Sequence, residues 1–357
     1  MKIGFLKECS DLRIAITPFT VSKYEKINLK INIENGIGEN STIDKNSFSN
    51  FVCVSDKKNL IKNSDIIISV SSDSLRPFDL LKNKILVSNF SGESNKESLI
   101  NDLKKYNIKA YDLSLIPRTT IAQSMDILSS MANLSGYKAV IKAAELLPRI
   151  FPMIITAAGS IKPAKVVVLG AGVAGLQAIA TAKRLGAIVE ASDPRQAAKE
   201  EVLSLGARFI EVEGSQEDLS AGGYAVQQSK EYLDKQKKEV SKRIESADVV
   251  ITTAQVFGGK SPILISNDLV RKMKKGSVIV DLASSSGGNC ELTVDSKIID
   301  SYGVKIVGNS FLASELSVDS SNLFSNNVFN FLNHVIKNGK IINENENSIL
   351  SSCRIIK

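Results

Sequence analysis

The sequence predicts an α/β protein of two doubly wound parallel-sheet domains joined by a long helix, and three observations predict it. Short β-branched runs alternate with helix-length segments along the chain, the pattern of parallel strands covered by crossover helices. The alternation occurs twice, with six strands to each half. Between the halves runs one long stretch in which apolar residues recur at three and four. At ~100–200 residues per domain, the 357 residues suit two domains or three.

In the first half the strands are read at Lys2–Leu6, Leu29–Glu34, Phe51–Ser55, Asp65–Val70, Lys84–Asn89 and Lys109–Ile116. Segments between them, such as Asn95–Tyr106, have helical spacing. Ser124–Pro148 is the joining helix, stopped by Pro148. The second half repeats the scheme at Lys165–Leu169, Ala187–Ala191, Arg208–Glu213, Asp248–Ala254, Ser277–Ala283 and Val304–Gly308. Leu323–Val335 is amphipathic and expected to fold back onto the first unit. The expected domains are therefore 1–128 plus about 313–357, and 129–312. The Asn-rich end, Asn338 to Ser352, is expected to be loosely held. The polar loop Glu213–Tyr224 is long for an α/β connection, and both a lid and a variable surface loop are open readings.

Composition narrows the function. Hydrophobic residues make 43% and charged residues 23%, which is globular. The net charge of +7 would suit a nucleic-acid binder if it were concentrated, but the basic residues are interspersed with acids, and Lys230–Arg243 alternates in sign like a solvated helix face. Tryptophan is absent and aromatics are 6%, which argues against base-stacking platforms. Cys9, Cys53, Cys290 and Cys353 are far apart, so neither a metal site nor a disulfide framework is expected, and a reducing compartment is. No apolar run reaches the length of a membrane span, and the N-terminus lacks a cleavage site. A soluble protein is expected, with docking on a membrane complex left open.

The strongest motif is Gly170-x-Gly172-x-x-Gly175, placed directly between a β run and a helical pattern. Gly170 would allow the tight turn, Gly172 the approach of a pyrophosphate, and Gly175 the packing of helix on sheet. Amides at the helix start, around Val173 and Ala174, would face the phosphates with the dipole behind them. Asp193 stands eighteen residues after Gly175 at the end of the next strand, where a carboxylate can accept both adenosine ribose hydroxyls. That favours NAD(H) over NADP(H), although Arg195 two positions on pulls the other way. Thr252-Thr253-Ala254-Gln255 falls at a strand end that lines such a crevice, making Thr253 and Ala254 secondary candidates. The second unit thus reads as a Rossmann-like dinucleotide domain.

The reaction partner is constrained by a scarcity. His334 is the single histidine, in a predicted C-terminal helix, and reads as a packing or surface residue. Dehydrogenation of an alcohol or amine moves a proton as well as a hydride and calls for an acid or base. Hydride exchange between two nicotinamides needs neither, only two rings in contact and water kept out.

The segment Leu115-Ile-Pro-Arg118-Thr-Thr-Ile-Ala-Gln123-Ser-Met-Asp126-Ile-Leu-Ser129 closely resembles the Arg–Gln–Asp loop of the NAD(H)-binding component, domain I, of the proton-translocating NAD(P) transhydrogenases. The likeness continues through Asn133–Tyr137, Thr156–Gly159, Gly172–Ala187, Ser220–Tyr224, Gly287–Cys290 and Gly303–Gly308. Lys7-Glu8 and Arg13–Pro18 are shared with the wider alanine dehydrogenase group. The resemblance covers essentially the whole chain and implies two Rossmann-like domains. It implies that Gln123 reaches the NMN ribose and the partner nucleotide, while Asp126, Arg118 and Ser129 hold carboxamide, ribose and loop, with an Arg–Asp pairing able to fix the loop; helix-entry capping by Ser124 or Asp126 is the other reading and is compatible with cofactor contact. It also implies that Tyr224, after Gly222-Gly223, tips a loop that closes over the adenosine half. These roles orient a ring and involve no acid–base step.

The same resemblance implies an NADP(H)-binding beta subunit and a small membrane subunit as partners, with NADP(H) bound on the former. It further implies a homodimer peripheral to the cytoplasmic face of the inner membrane. A second fingerprint and membrane helices are expected on other polypeptides. Departures fall in the first unit, where Ser69 stands in place of a lysine and Val87–Ser91 in place of a histidine-bearing run, and at Ser284–Ser286 in place of an acid. The first two count against an alanine dehydrogenase. That enzyme and a non-catalytic NAD(H)-sensing module remain the alternatives.

Overall fold

The computed structural model describes residues 1–27, 29–43, 47–48, 52–93, 95–195, 197–212, 230–255 and 259–356, with only the backbone at 230–233. Two units divide it: Met1–Met131 with Ala313–Lys357, and Ala132–Leu312.

In the first unit, β1 (Lys2–Phe5), β2 (Lys30–Glu34), β3 (Val52–Ser55), β4 (Ile66–Ser71), β5 (Ile85–Asn89) and β6 (Lys109–Asp112) form one sheet ordered β3-β2-β1-β4-β5-β6. Every pair is parallel. Helices α1 (Pro18–Lys26), α2 (Lys57–Lys62) and α3 (Lys96–Lys105) make crossovers. The run of isoleucines in β4 is buried on both faces: Ile66 and Ile68 enter one core, Ile67 the other. The last strand is shorter than expected. Asp112 turns its carboxylate onto the N–H of Ser114 and ends the extended run in a 3-10 turn.

Helix α4 (Ile127–Leu146) carries the division between the units. Its start is later than the expected Ser124, because Thr120–Met125 winds as a 3-10 helix. Asp126 then accepts the Ser129 N–H at 2.9 Å and its hydroxyl at 2.6 Å, opening the α-helix as a cap does.

The second unit opens with a small hairpin, β7 (Ile154–Thr156) and β8 (Gly159–Ile161). Then come β9 (Lys165–Leu169), α5 (Val173–Arg184), β10 (Ile188–Ser192), α6 (Ala197–Ser204), β11 (Arg208–Phe209) and α7 (Lys230–Ser246). β12 (Val249–Thr252), α8 (Asn267–Lys272), β13 (Val278–Asp281), β14 (Lys297–Ser301) and β15 (Val304–Gly308) complete it. The sheet runs β11-β10-β9-β12-β13-β15-β14, so it has seven strands rather than the expected six. The extra one, β14, pairs antiparallel with β15 across Tyr302 and Gly303, both at positive φ. Alternation again splits the faces, with Val166 and Val168 in one core and Val167 and Leu169 in the other. Asp248 ties the N-terminal ends of these strands, taking the Lys165 N–H at 2.8 Å and the Arg149 and Lys274 side chains at 3.0 Å each.

The chain finishes in the first unit with α9 (Ser317–Val335), the pair β16 (Ile336–Lys337) and β17 (Lys340–Ile341), and α10 (Ser348–Cys353). Phe324, Phe331 and Leu332 of α9 join the core of Phe5 and Tyr24. The expectation of a loosely held end from Asn338 to Ser352 needs correction at its last turn alone, since Asn338–Ser348 is exposed or half-buried. Ile349, Leu350 and Cys353 are buried, and Arg354 bridges to Tyr111 and pairs with Glu344. Three apolar residues of one short helix anchor a segment whose composition alone is polar.

Candidate functional site

In the second unit the strand order reverses between β9 and β12, and the crevice outside their carboxyl ends is where such sheets take ligands. The glycine motif occupies that place. Gly170 has φ +100°, and a Cβ there would stand 2.5 Å from the Thr253 hydroxyl. A Cβ on Gly175 would stand 1.8 Å from the Gly170 carbonyl oxygen, so only glycine lets α5 start this close to the turn. Gly172 differs: nothing lies within 4 Å of the Cβ it lacks, and it is an N-cap with no side-chain bond. The first amides of a helix have no partner inside it. An uncapped helix start facing open space fits a pyrophosphate. Val173 is exposed at the first helical position, with Ala174 and Gly175 behind it.

Asp193 lies beside the motif and is buried. Its Oδ2 accepts the Ala171 N–H at 2.7 Å, and its Oδ1 accepts the Arg195 N–H at 2.8 Å and Nε at 2.9 Å. Arg195 Nη2 reaches Oδ2 and the Ala171 carbonyl, both at 3.2 Å. The pairing raises the Arg195 guanidinium above its already high ordinary range. A carboxylate offers about four lone-pair sites, and these four donors take them. The two ribose hydroxyls expected on Asp193 can bind only when the half-exposed Arg195 side chain swings away.

Thr253 donates its hydroxyl to the Gly170 carbonyl at 3.0 Å and its N–H to the Leu169 carbonyl at 2.9 Å. Ala254 has both backbone groups bonded to the side chain of Asn289. Sequence reasoning places Thr253 and Ala254 here and gives Asn289 no role. Its signal, an asparagine after two glycines, does not say which peptide the amide meets.

In the first unit, Arg118 and Gln123 are exposed and have no side-chain partner among the described residues. Asp126 bonds to Ser129 and not to Arg118, which is the helix-entry capping that the sequence also offers for it. Their loop is held from beneath: Ala122 and Met125 are buried, and Asn327 and Asn330 donate to the Ser124 carbonyl at 2.9 and 3.0 Å. Gln123 is left facing outward. Gly223 and Tyr224 lie outside the described residues.

The first unit has its own reversal, between β1 and β4, and a protein carboxylate fills it. Glu8 accepts the Val70 N–H at 2.6 Å and the Ser74 hydroxyl at 2.7 Å, and burial pushes its carboxyl up to about 7. Ser69 and Ser88 share a bond of 2.9 Å nearby in the sheet. Among the described residues no group of three or more His, Cys, Asp or Glu is arranged to hold a metal ion, and no helix is long and apolar enough to cross a membrane.

Residues 4–135 match the family model of the alanine dehydrogenase/PNT N-terminal domain, and residues 139–357 that of the alanine dehydrogenase/PNT C-terminal domain. The chain is 42% identical over 354 residues to the first portion of NAD(P) transhydrogenase subunit alpha of Rhodospirillum rubrum, covering 96% of this chain and 92% of that one. It is 41% identical to the same-named subunit of Rickettsia prowazekii, covering 97% and 92%. The crystal structure of a transhydrogenase from Sinorhizobium meliloti superposes with a TM-score of 0.90 at 36% identity, over 99% of this chain and 98% of that one. A solved L-alanine dehydrogenase, at 20% identity and TM-score 0.80, shares the fold.

Proposed function

Since this chain belongs to the alanine dehydrogenase/PNT family, we propose that it is the NAD(H)-binding subunit of a proton-translocating NAD(P) transhydrogenase. One observation carries the reading: the identity to transhydrogenase alpha subunits extends over nearly the whole chain. The glycine turn supports it with an uncapped helix start facing open space.

In this account the amides at Val173, Ala174 and Gly175 bind the pyrophosphate, with Gly170 and Gly172 giving the backbone its approach. Asp193 receives the adenosine ribose once Arg195 has moved, which selects NAD(H) and turns away a 2′-phosphate. Arg118 and Gln123 contact the NMN half, and Asp126 and Ser129 hold their loop in shape. Gly223 and Tyr224 cover the dinucleotide and keep water out. The bound nicotinamide supplies the hydride, which NADP+ on a partner beta subunit accepts, coupled to proton movement through membrane subunits. No side chain in this chain has to carry a proton for that exchange. The assembly is a homodimer of this chain seated on the cytoplasmic face of the inner membrane.

The test is reconstitution. Purified alone, the chain should bind NADH and reduce no NADP+; adding the NADP(H)-binding subunit should start hydride exchange. Reduction of NADP+ by the isolated chain, or turnover of NADH with pyruvate and ammonia, would contradict the assignment.

A further inference from the structure

Asn289 has no exposed surface, and its side-chain amide is fully bonded. Its Oδ1 accepts the Ala254 N–H at 3.0 Å, while Nδ2 donates to the Ala254 carbonyl at 2.8 Å and the Pro262 carbonyl at 2.8 Å. The amide thus takes both backbone groups of one residue, as an antiparallel neighbour does in a hydrogen-bonded pair. Asn289 is itself anchored. Its N–H donates to Asp281 Oδ2 at 2.7 Å, and its carbonyl accepts the N–H of Leu264 at 2.7 Å and of Ile265 at 3.0 Å. Asp281 in turn takes the Cys290 N–H at 3.1 Å and the Thr293 hydroxyl at 2.7 Å. The base of this arrangement is buried at the end of β13.

What Asn289 holds is the continuation of β12. That strand ends at Thr252, Thr253 still donates its N–H to the Leu169 carbonyl of β9 at 2.9 Å, and at Ala254 the partner of both backbone groups becomes the Asn289 side chain. One residue before Ala254, the Thr253 hydroxyl is bonded to the Gly170 carbonyl in the glycine turn. Thr253 is thus fixed on one side by the Leu169 carbonyl and on the other by the peptide that Asn289 holds, and freeing the Ala254 side would loosen the bond of its hydroxyl to the glycine turn.

We propose that Asn289 is a positioning residue for the dinucleotide: it sets the peptide at Ala254 and, through Thr253, the glycine turn at Gly170 before the cofactor arrives. The inference rests on the NAD(H)-binding reading above. A purely structural amide would support the melting temperature and leave affinity unchanged, so the two roles separate in a titration.

NADH affinity is measured by fluorescence for the full chain and for Asn289→Ala, Thr253→Val and the double variant, each well below its own melting midpoint. Asn289→Ala is expected to weaken NADH by about tenfold or more, and the double variant to be within about twofold of the weaker single one, because both changes cut the same relay. Affinity of Asn289→Ala within about twofold of the parent, or losses that simply multiply, overturns the proposal. If Asn289→Ala does not fold, hydrogen exchange in the parent decides. The Ala254 amide should be protected without NADH, and free exchange until NADH is added overturns the proposal. A parent that binds no NADH overturns the underlying reading and this one with it; a parent that binds while Asn289→Ala binds equally well overturns this one alone.

Discussion

Tyr24 is fully buried between Phe5 and Phe329, with ring centroids 5.8 and 5.0 Å away, and its hydroxyl has no partner among the described residues. Burial alone pushes the phenol far above its ordinary range. An unmet buried hydroxyl is a net cost, so Tyr24→Phe should raise stability by ~1 kcal/mol. A thermal melt checks it, with a midpoint higher by roughly 2–4 °C. Glu8 makes a prediction in pH. Its folded carboxyl titrates at about 7, above the 4.5 of an ordinary glutamate, because burial outweighs its hydrogen bonds. The folded state therefore holds the proton more tightly than the unfolded one across that window. Stability from this group is complete below about pH 4.5 and is lost as pH rises through about 7. Glu8→Gln should remove that loss, so its melting midpoint should gain on the parent as pH is raised from about 5 to about 8. A constant difference across the range would contradict the shift. Neither consequence is legible in the sequence, since both depend on what surrounds the side chain.

At the scale of elements, legibility follows the strength of the local pattern. The parallel strands are readable because both of their faces are buried, which forces nearly continuous isoleucine and valine at Ile66–Ile68 and Val166–Val168. β14 is not: it is an edge strand, mostly exposed, whose Lys-Ile-Ile-Asp-Ser carries no alternation to detect. The first turns of α4 depart from the expectation because Asp126 can serve either a ligand or a helix start, and spacing alone does not choose. The glycine turn is legible because Gly170 and Gly175 each meet a steric requirement while Gly172 leaves open space at the helix start. Gly175→Ala puts a methyl 1.8 Å from the Gly170 carbonyl, a backbone atom that cannot yield without moving the turn. NADH affinity in this variant should fall by more than about tenfold, roughly 1.4 kcal/mol. Calorimetric titration checks it, and unchanged binding would remove the turn from the site. What the motif cannot disclose is that Asp193 arrives already bonded to Ala171 and Arg195.

For the whole molecule, the proposed behaviour is hydride exchange between two nicotinamides held by different subunits, which asks no histidine of this chain. His334 bonds to Asn347 in the C-terminal stretch of the first unit, so it belongs to packing there. The most direct measurement follows the label. NADH carrying deuterium at the transferred position is mixed with this chain, the NADP(H)-binding subunit and NADP+ in ordinary water. The account predicts that deuterium appears in NADPH without dilution by solvent protons. NADPH free of label, or label lost to water, would contradict it.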